Sequence, residues 1–140
     1  MEQLRRRLIR IVESGEQQNS DALLEALEAN EAAERYWAVT WLGVNRVSGA
    51  KNQVEALCTD LDPSVRIAAN LALDKINTNY DPIPPLAKEV NHRNLIVGMY
   101  AMSAIEQTGI RNEAVKNIAK EAANSKYEFT RRYGTYLSSH

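Results

Sequence analysis

Apolar residues recur along this chain at intervals of three and four, the spacing that gathers side chains on one face of an α-helix. The clearest stretch runs from Asp62 to Ile76, where Val65, Ala68, Ala69, Ala72, Leu73 and Ile76 fall on one stripe. Asp62 is suited to cap this helix and Pro63 to its first position, where a missing N–H costs nothing. Elsewhere the pattern predicts helices over 1–14, 21–29, 34–47 and 52–61 before this element, and over 86–90, 92–108, 112–123 and 126–138 after it. Pro84 and Pro85 are tolerable only before or in the first turn of a helix. The breaks are polar or glycine-bearing: Gly15 to Ser20, Ser48-Gly49, Asn77-Thr78-Asn79 and Gly109.

Helices laid over one another show a repeat. Glu34 to Gly43 matches Val65 to Asp74 at an offset of 31, placing Arg35 on Arg66, Ala38 on Ala69 and Leu42 on Leu73. A third copy, read at an offset of 29, puts Val97, Gly98, Ala101, Met102 and Ile105 in the places of Ala68, Ala69, Ala72, Leu73 and Ile76. The fourth aligns Arg131, Gly134 and Leu137 with Arg66, Ala69 and Ala72 at an offset of 65. Small residues recur where helices must approach closely. The repeat predicts a single domain over 1–140: an all-α solenoid with a capping helix over 1–14 and four helical pairs over 20–49, 50–79, 81–109 and 111–138.

Composition agrees with helix: 44% hydrophobic and 25% charged residues, with few Gly and Pro to break long elements. The formal charge of −1 provides no whole-molecule field for nucleic acid or anionic lipid. A single cysteine, Cys58, rules out an internal disulfide and reads as a small buried apolar residue. Chemistry-bearing motifs are missing. His92 and His140 belong to no His-Glu-x-x-His or Cys/His cluster, and His140 reads as a tail residue. Neither a Gly-x-Ser-x-Gly elbow nor a Gly-rich phosphate loop occurs. No catalytic, cofactor or metal residue is therefore expected. Glu25, Glu28, Glu31 and Glu34 read as a solvated face, as does the basic set Arg5, Arg6, Arg7 and Arg10 on the first helix.

The short first helix followed by Asp62-Pro63-x-Val65-Arg66-x-Ala68-Ala69 and its copies resembles the short-period HEAT repeats often called PBS-lyase-like, over residues 20–138. Glu34-Arg35-Tyr36-Trp37-Ala38, that Asp-Pro stretch, and the closing Lys126 to Arg132 look like the HEAT region C-terminal to the catalytic domain in some bacterial sulfatases. The resemblance implies a HEAT-like right-handed superhelix. It also implies an accessory scaffold docked on a sulfatase-like catalytic domain, another protein or a second copy. Leu95 stands where the third copy would carry the repeat arginine, which the family uses to bridge adjacent Asp residues. The sulfatase nucleophile motif is absent, since Cys58 is followed by Thr59-Asp60-Leu61. As part of a secreted sulfatase the chain would be periplasmic or extracellular; with Met1 as the natural start it would be cytoplasmic. Some HEAT-like proteins bind DNA in a basic groove, so a free-standing nucleic-acid-binding or DNA-repair protein is the alternative. No specific nucleic acid and no membrane is expected as partner.

Two further expectations concern individual residues. Arg35, Asp62, Pro63 and Arg66 read as structural repeat positions, with Trp37 and Trp41 filling the core in the columns of Ala68 and Ala72. Opposite the core stripe lie Tyr36 and Val39, Ile67 and Leu71, and Ile96, Met99 and Tyr100, with Tyr136 extending the row. These side chains predict an outward, partner-binding face.

Overall fold

Four helices begin where a side-chain oxygen accepts a free backbone N–H group. The computed structural model describes residues 2–77 and 79–139, apart from the Phe129 side chain. Met1, Thr78 and His140, and with them the expected tail histidine, lie outside the described residues. Asp62 caps as its chemistry predicts: one carboxylate oxygen accepts from Ser64 N at 2.8 Å and Val65 N at 3.2 Å. Asn19, Asn94 and Asn112 cap other helices through Ala22, Ile96 and Val115 N–H groups. Gly109, at φ +72, closes a helix in the left-handed conformation that glycine adopts without strain.

Among the described residues the chain is all-helical, with nine α-helices and no strand. They are α1 (Glu2–Glu16), α2 (Ser20–Ala26), α3 (Ala32–Val44), α4 (Lys51–Ala56), α5 (Pro63–Ile76), α6 (Ile83–Val90), α7 (Leu95–Thr108), α8 (Glu113–Ala123) and α9 (Glu128–Ser139). Short 3-10 turns, Ser48–Ala50 and Leu57–Thr59, flank α4, so the helix expected over 52–61 is only one and a half turns of α-helix between tighter turns.

Backbone contacts gather into two units, Met1–Tyr80 and Asp81–His140. In the first, α2 and α4 pack on α3 and α5 respectively, α3 lies along α5, and α1 packs on α2 and α3. Leu23, Leu27, Ala38, Val39, Leu42, Val54, Ala68, Ala69, Ala72 and Leu73 fill its core. Gly43 allows the close approach of α3 to α5, since a Cβ there would sit 2.8 Å from the Ala72 Cα. In the second unit α6 pairs with α7 and α8 with α9, while α7 meets α9 and α6 meets α8. Met102, Ala119, Ala122 and Leu137 form a core there, bordered by Val90, Ile118 and Tyr133. A Cβ on Gly134 would meet Ala123 N at 2.4 Å, so only glycine fits where α9 crosses α8.

The third copy of the repeat has a different register from the one its apolar stripe predicts. α5 and α7 both span 14 residues, and Asp62 and Asn94 occupy equivalent caps, which fixes the offset at 32 in place of 29. α7 begins at Leu95 and not at His92 because side chains hold the preceding turn: His92 Nδ1 accepts from Asn94 N at 3.0 Å and Asn94 from Ile96 N at 2.9 Å. The position of Arg66 is therefore held by Gly98, and Leu95 is an exposed first-turn residue.

Candidate interaction surface

The repeat arginines perform one task. Arg35 Nη1 donates to the carbonyls of Ala29 (2.9 Å) and Asn30 (2.8 Å), six and five residues upstream. Arg66 Nη1 does the same to Asp60 (2.9 Å) and Leu61 (3.3 Å), and Arg131 Nη1 to Ser125 (3.0 Å). Each guanidinium thereby clamps the turn that feeds its own helix, satisfying carbonyls that the preceding element leaves unpaired. In α7 the same position is Gly98, where a Cβ would stand 2.6 Å from Val90 O, so the end of α6 approaches too closely for any side chain.

Arg35 also reaches forward to the next pair. Its Nε and Nη2 meet the two oxygens of Asp60 at 2.9 and 3.1 Å, in a pair whose side chains are 17% and 8% exposed. Burial alone would raise the Asp60 pKa, but the Arg35 hydrogen bond, the Asp62 N–H and the charges of Arg35 and Arg66 outweigh it and hold the carboxyl below its ordinary range. The same hydrogen bond raises the Arg35 pKa. Asp60, which no motif singled out, thus ties the turn before α5 to the start of α3.

Trp37, expected in the core, is 41% exposed and meets Tyr36 edge-on, with ring centroids 5.3 Å apart. The reason is the path of α1. It covers a stripe of α3 made by Glu34, Trp41 and Asn45: Arg7 Nε bonds Glu34 at 2.9 Å, Gly15 lies against the Trp41 indole, and Asn45 Nδ2 bonds Gly15 O at 2.9 Å. Trp37 sits on the flank of that stripe. Trp41 is partly covered, its Nε1 enclosed with no hydrogen-bond partner. Glu34, expected on a solvated face, is instead buried beneath Arg7.

The predicted outward face does not form as one surface. Val39, Ile67 and Leu71 are buried, Tyr36, Met99 and Tyr100 are half-buried, and only Ile96 and Tyr136 are exposed. α5 packs on α3, on α4 and on the Leu57–Thr59 turn, so a single stripe is only part of its buried circumference. In α5 every residue from 67 to 73 is buried. Asn70 among them is satisfied, donating to Arg66 O at 2.9 Å and accepting from the Tyr80 hydroxyl.

The exposed apolar residues lie elsewhere. Trp37 and Val44, four and three residues either side of half-covered Trp41, make a row along α3 in the first unit, and Leu61 stands 97% exposed at the tip of the turn before α5. In the second unit Leu95 and Tyr127 edge a recess of about 100 Å³ that also includes His92, Ser125 and Thr130. Helical spacing assigned Trp37 inward and Leu61 to the apolar end of a helix over 52–61; Leu61 instead lies in the turn before α5.

Among the described residues no three His, Cys, Asp or Glu are placed to hold a metal ion, and no helix is long and apolar enough to cross a membrane. Burial pushes the Cys58 thiol up to about 11, despite an opposing hydrogen bond with Tyr80. The Tyr133 phenol is pushed up to about 12 by burial and by its bond to Glu106. Compared with known proteins, the chain matches no family model and no curated protein.

Proposed function

We propose that this chain is a non-catalytic interaction scaffold: a HEAT-like solenoid of four helical pairs behind the capping helix α1. Following the resemblance of Glu34 to Ala38 and Asp62 to Ala69, it serves as the accessory C-terminal domain of a sulfatase-like hydrolase and docks on its catalytic domain. The shared arginine clamp of α3, α5 and α9 supports the repeat, because one bonding pattern at one helix position recurs in three elements. The observation that carries the docking role is the Trp37–Val44 row. A tryptophan 41% exposed and a valine 50% exposed on one helix face are side chains that gain from burial against another protein.

The test is binding of the chain to a sulfatase-like catalytic domain encoded in the same reading frame or beside it, followed through tryptophan fluorescence. Loss of binding in Trp37→Glu with Val44→Glu, with the fold intact by circular dichroism, supports the reading. Binding that survives both changes, or none at all to such a domain, overturns it.

A further inference from the structure

One face of α1 carries a charge pattern that the scaffold reading does not use. Gln3, Arg6, Arg7 and Arg10 follow the i, i+3, i+4, i+7 spacing that brings side chains together on a helix, and they line a recess of about 330 Å³. Arg7 is held in place from below: its Nε bonds the buried carboxylate of Glu34 at 2.9 Å, so the recess has one fixed guanidinium. Arg6 meets Glu2 at 3.8 Å across a solvent-exposed pair, a contact that water and salt weaken and that a better-placed anion displaces. Arg7 and Arg10 line both this recess and a second groove of about 380 Å³, lined also by Ile11, Ala22, Ala26 and Ala29 and by the carboxylates of Glu25 and Glu34. Arg5 points away from the set by its place on the helix and lines neither cavity.

We infer that this recess is a binding site for an acidic segment of a partner protein, with carboxylates paired to Arg6, Arg7 and Arg10 and an apolar side chain laid into the adjoining groove. Guanidinium groups favour oxyanions because their planar forks donate two parallel hydrogen bonds. The extent of the site favours a peptide over a polynucleotide. The basic face covers seven helical steps, about 10 Å of axis at about 1.5 Å per residue, which matches two or three neighbouring carboxylates. Glu2, paired with Arg6, and Glu25, in the lining of the second groove, flank it with negative charge that repels a polyanion continuing past it. The alanine lining of the second groove suits a side chain and lacks the aromatic platforms on which bases stack. This site is separate from the Trp37–Val44 row, so a chain that docks on no catalytic domain can still bind an acidic segment here.

The test is titration of the full chain with a fluorescent peptide of alternating Glu and Leu, and in parallel with a single-stranded 12-nucleotide DNA, at low and at physiological salt. Peptide binding is expected to weaken about tenfold or more in Arg6→Ala with Arg10→Ala, because each paired charge contributes a charge-assisted hydrogen bond. Binding should be unchanged in Arg5→Ala and should shift the amide resonances of 3–10 and 22–29. Thermal unfolding of each variant separates lost binding from lost fold. Equal binding by the double variant, tighter binding of the DNA than of the peptide, or no peptide binding at low salt overturns the inference.

Discussion

Arg35 and Asp60 form a two-pronged ion pair, Nε to Oδ2 at 2.9 Å and Nη2 to Oδ1 at 3.1 Å, between the start of α3 and the turn before α5. The same guanidinium binds two carbonyls of its own turn, and the same carboxylate accepts Asp62 N–H at 2.9 Å. Removing one partner leaves the other enclosed without its counter-charge, so Asp60→Ala should destabilise the fold by about 3 kcal/mol, as breaking a buried pair does. Because the folded Asp60 pKa lies below its ordinary value, its contribution is complete above about pH 4 and is lost as pH falls through the folded pKa. Denaturant titrations of the wild type from pH 7 to pH 2 should show this loss, and Asp60→Asn should reduce it.

The two tryptophans should respond unequally. Trp41 lies under Gly15 with its indole N–H enclosed, and Trp41→Ala should cost about 3–5 kcal/mol, the range for emptying a large core site. Trp37, 41% exposed, should cost about 1–2 kcal/mol on truncation to alanine. Equal losses in urea unfolding would contradict the path described for α1.

Glycine substitutions provide a graded series. Gly134→Ala places a methyl group 2.4 Å from Ala123 N and Gly98→Ala one 2.6 Å from Val90 O, contacts with backbone that cannot move aside cheaply. Each should destabilise by about 1–3 kcal/mol. Gly109→Ala meets no atom but must hold φ +72, costing about 1 kcal/mol. Gly49→Ala meets nothing and has no positive φ, so it should be neutral or slightly stabilising. Thermal melts of the four variants check the order.

Cys58 should be a slow thiol. With its pKa pushed up to about 11, little thiolate exists at neutral pH, and alkylation should proceed far more slowly than in the denatured chain. A group whose folded pKa is raised stabilises the fold below its unfolded pKa, so stability should fall as pH climbs from about 8.5 towards 11. Cys58→Ser should flatten that decline.

Much of the helix order was legible in the residues. Asp62-Pro63 announces a helix start through a side-chain acceptor and a ring that needs no N–H, and both act locally. The arginine at the fourth position of α3, α5 and α9 was visible as a recurring letter, although its bonds to upstream carbonyls were not. The register of α7 was misread for a geometric reason. A shift of three residues turns a helix by about 60° from the original face, so an apolar stripe overlays itself almost as well at an offset of 29 as at 32. Only the cap at Asn94, fixed by His92 and Ile96, separates the two.

What the sequence determined by itself is what depends on neighbours along the chain: helix, turn, cap and the small residues that permit close crossing. Tertiary structure alone decided which faces are covered. Trp37 and Ala68 share a column, yet the tryptophan is exposed and the alanine buried, because α1 lies over the Glu34–Trp41–Asn45 stripe and leaves the flank open. Ile67 and Leu71 look outward on a helical wheel and are buried in the fold, since a wheel shows one helix while burial counts every element packed around it.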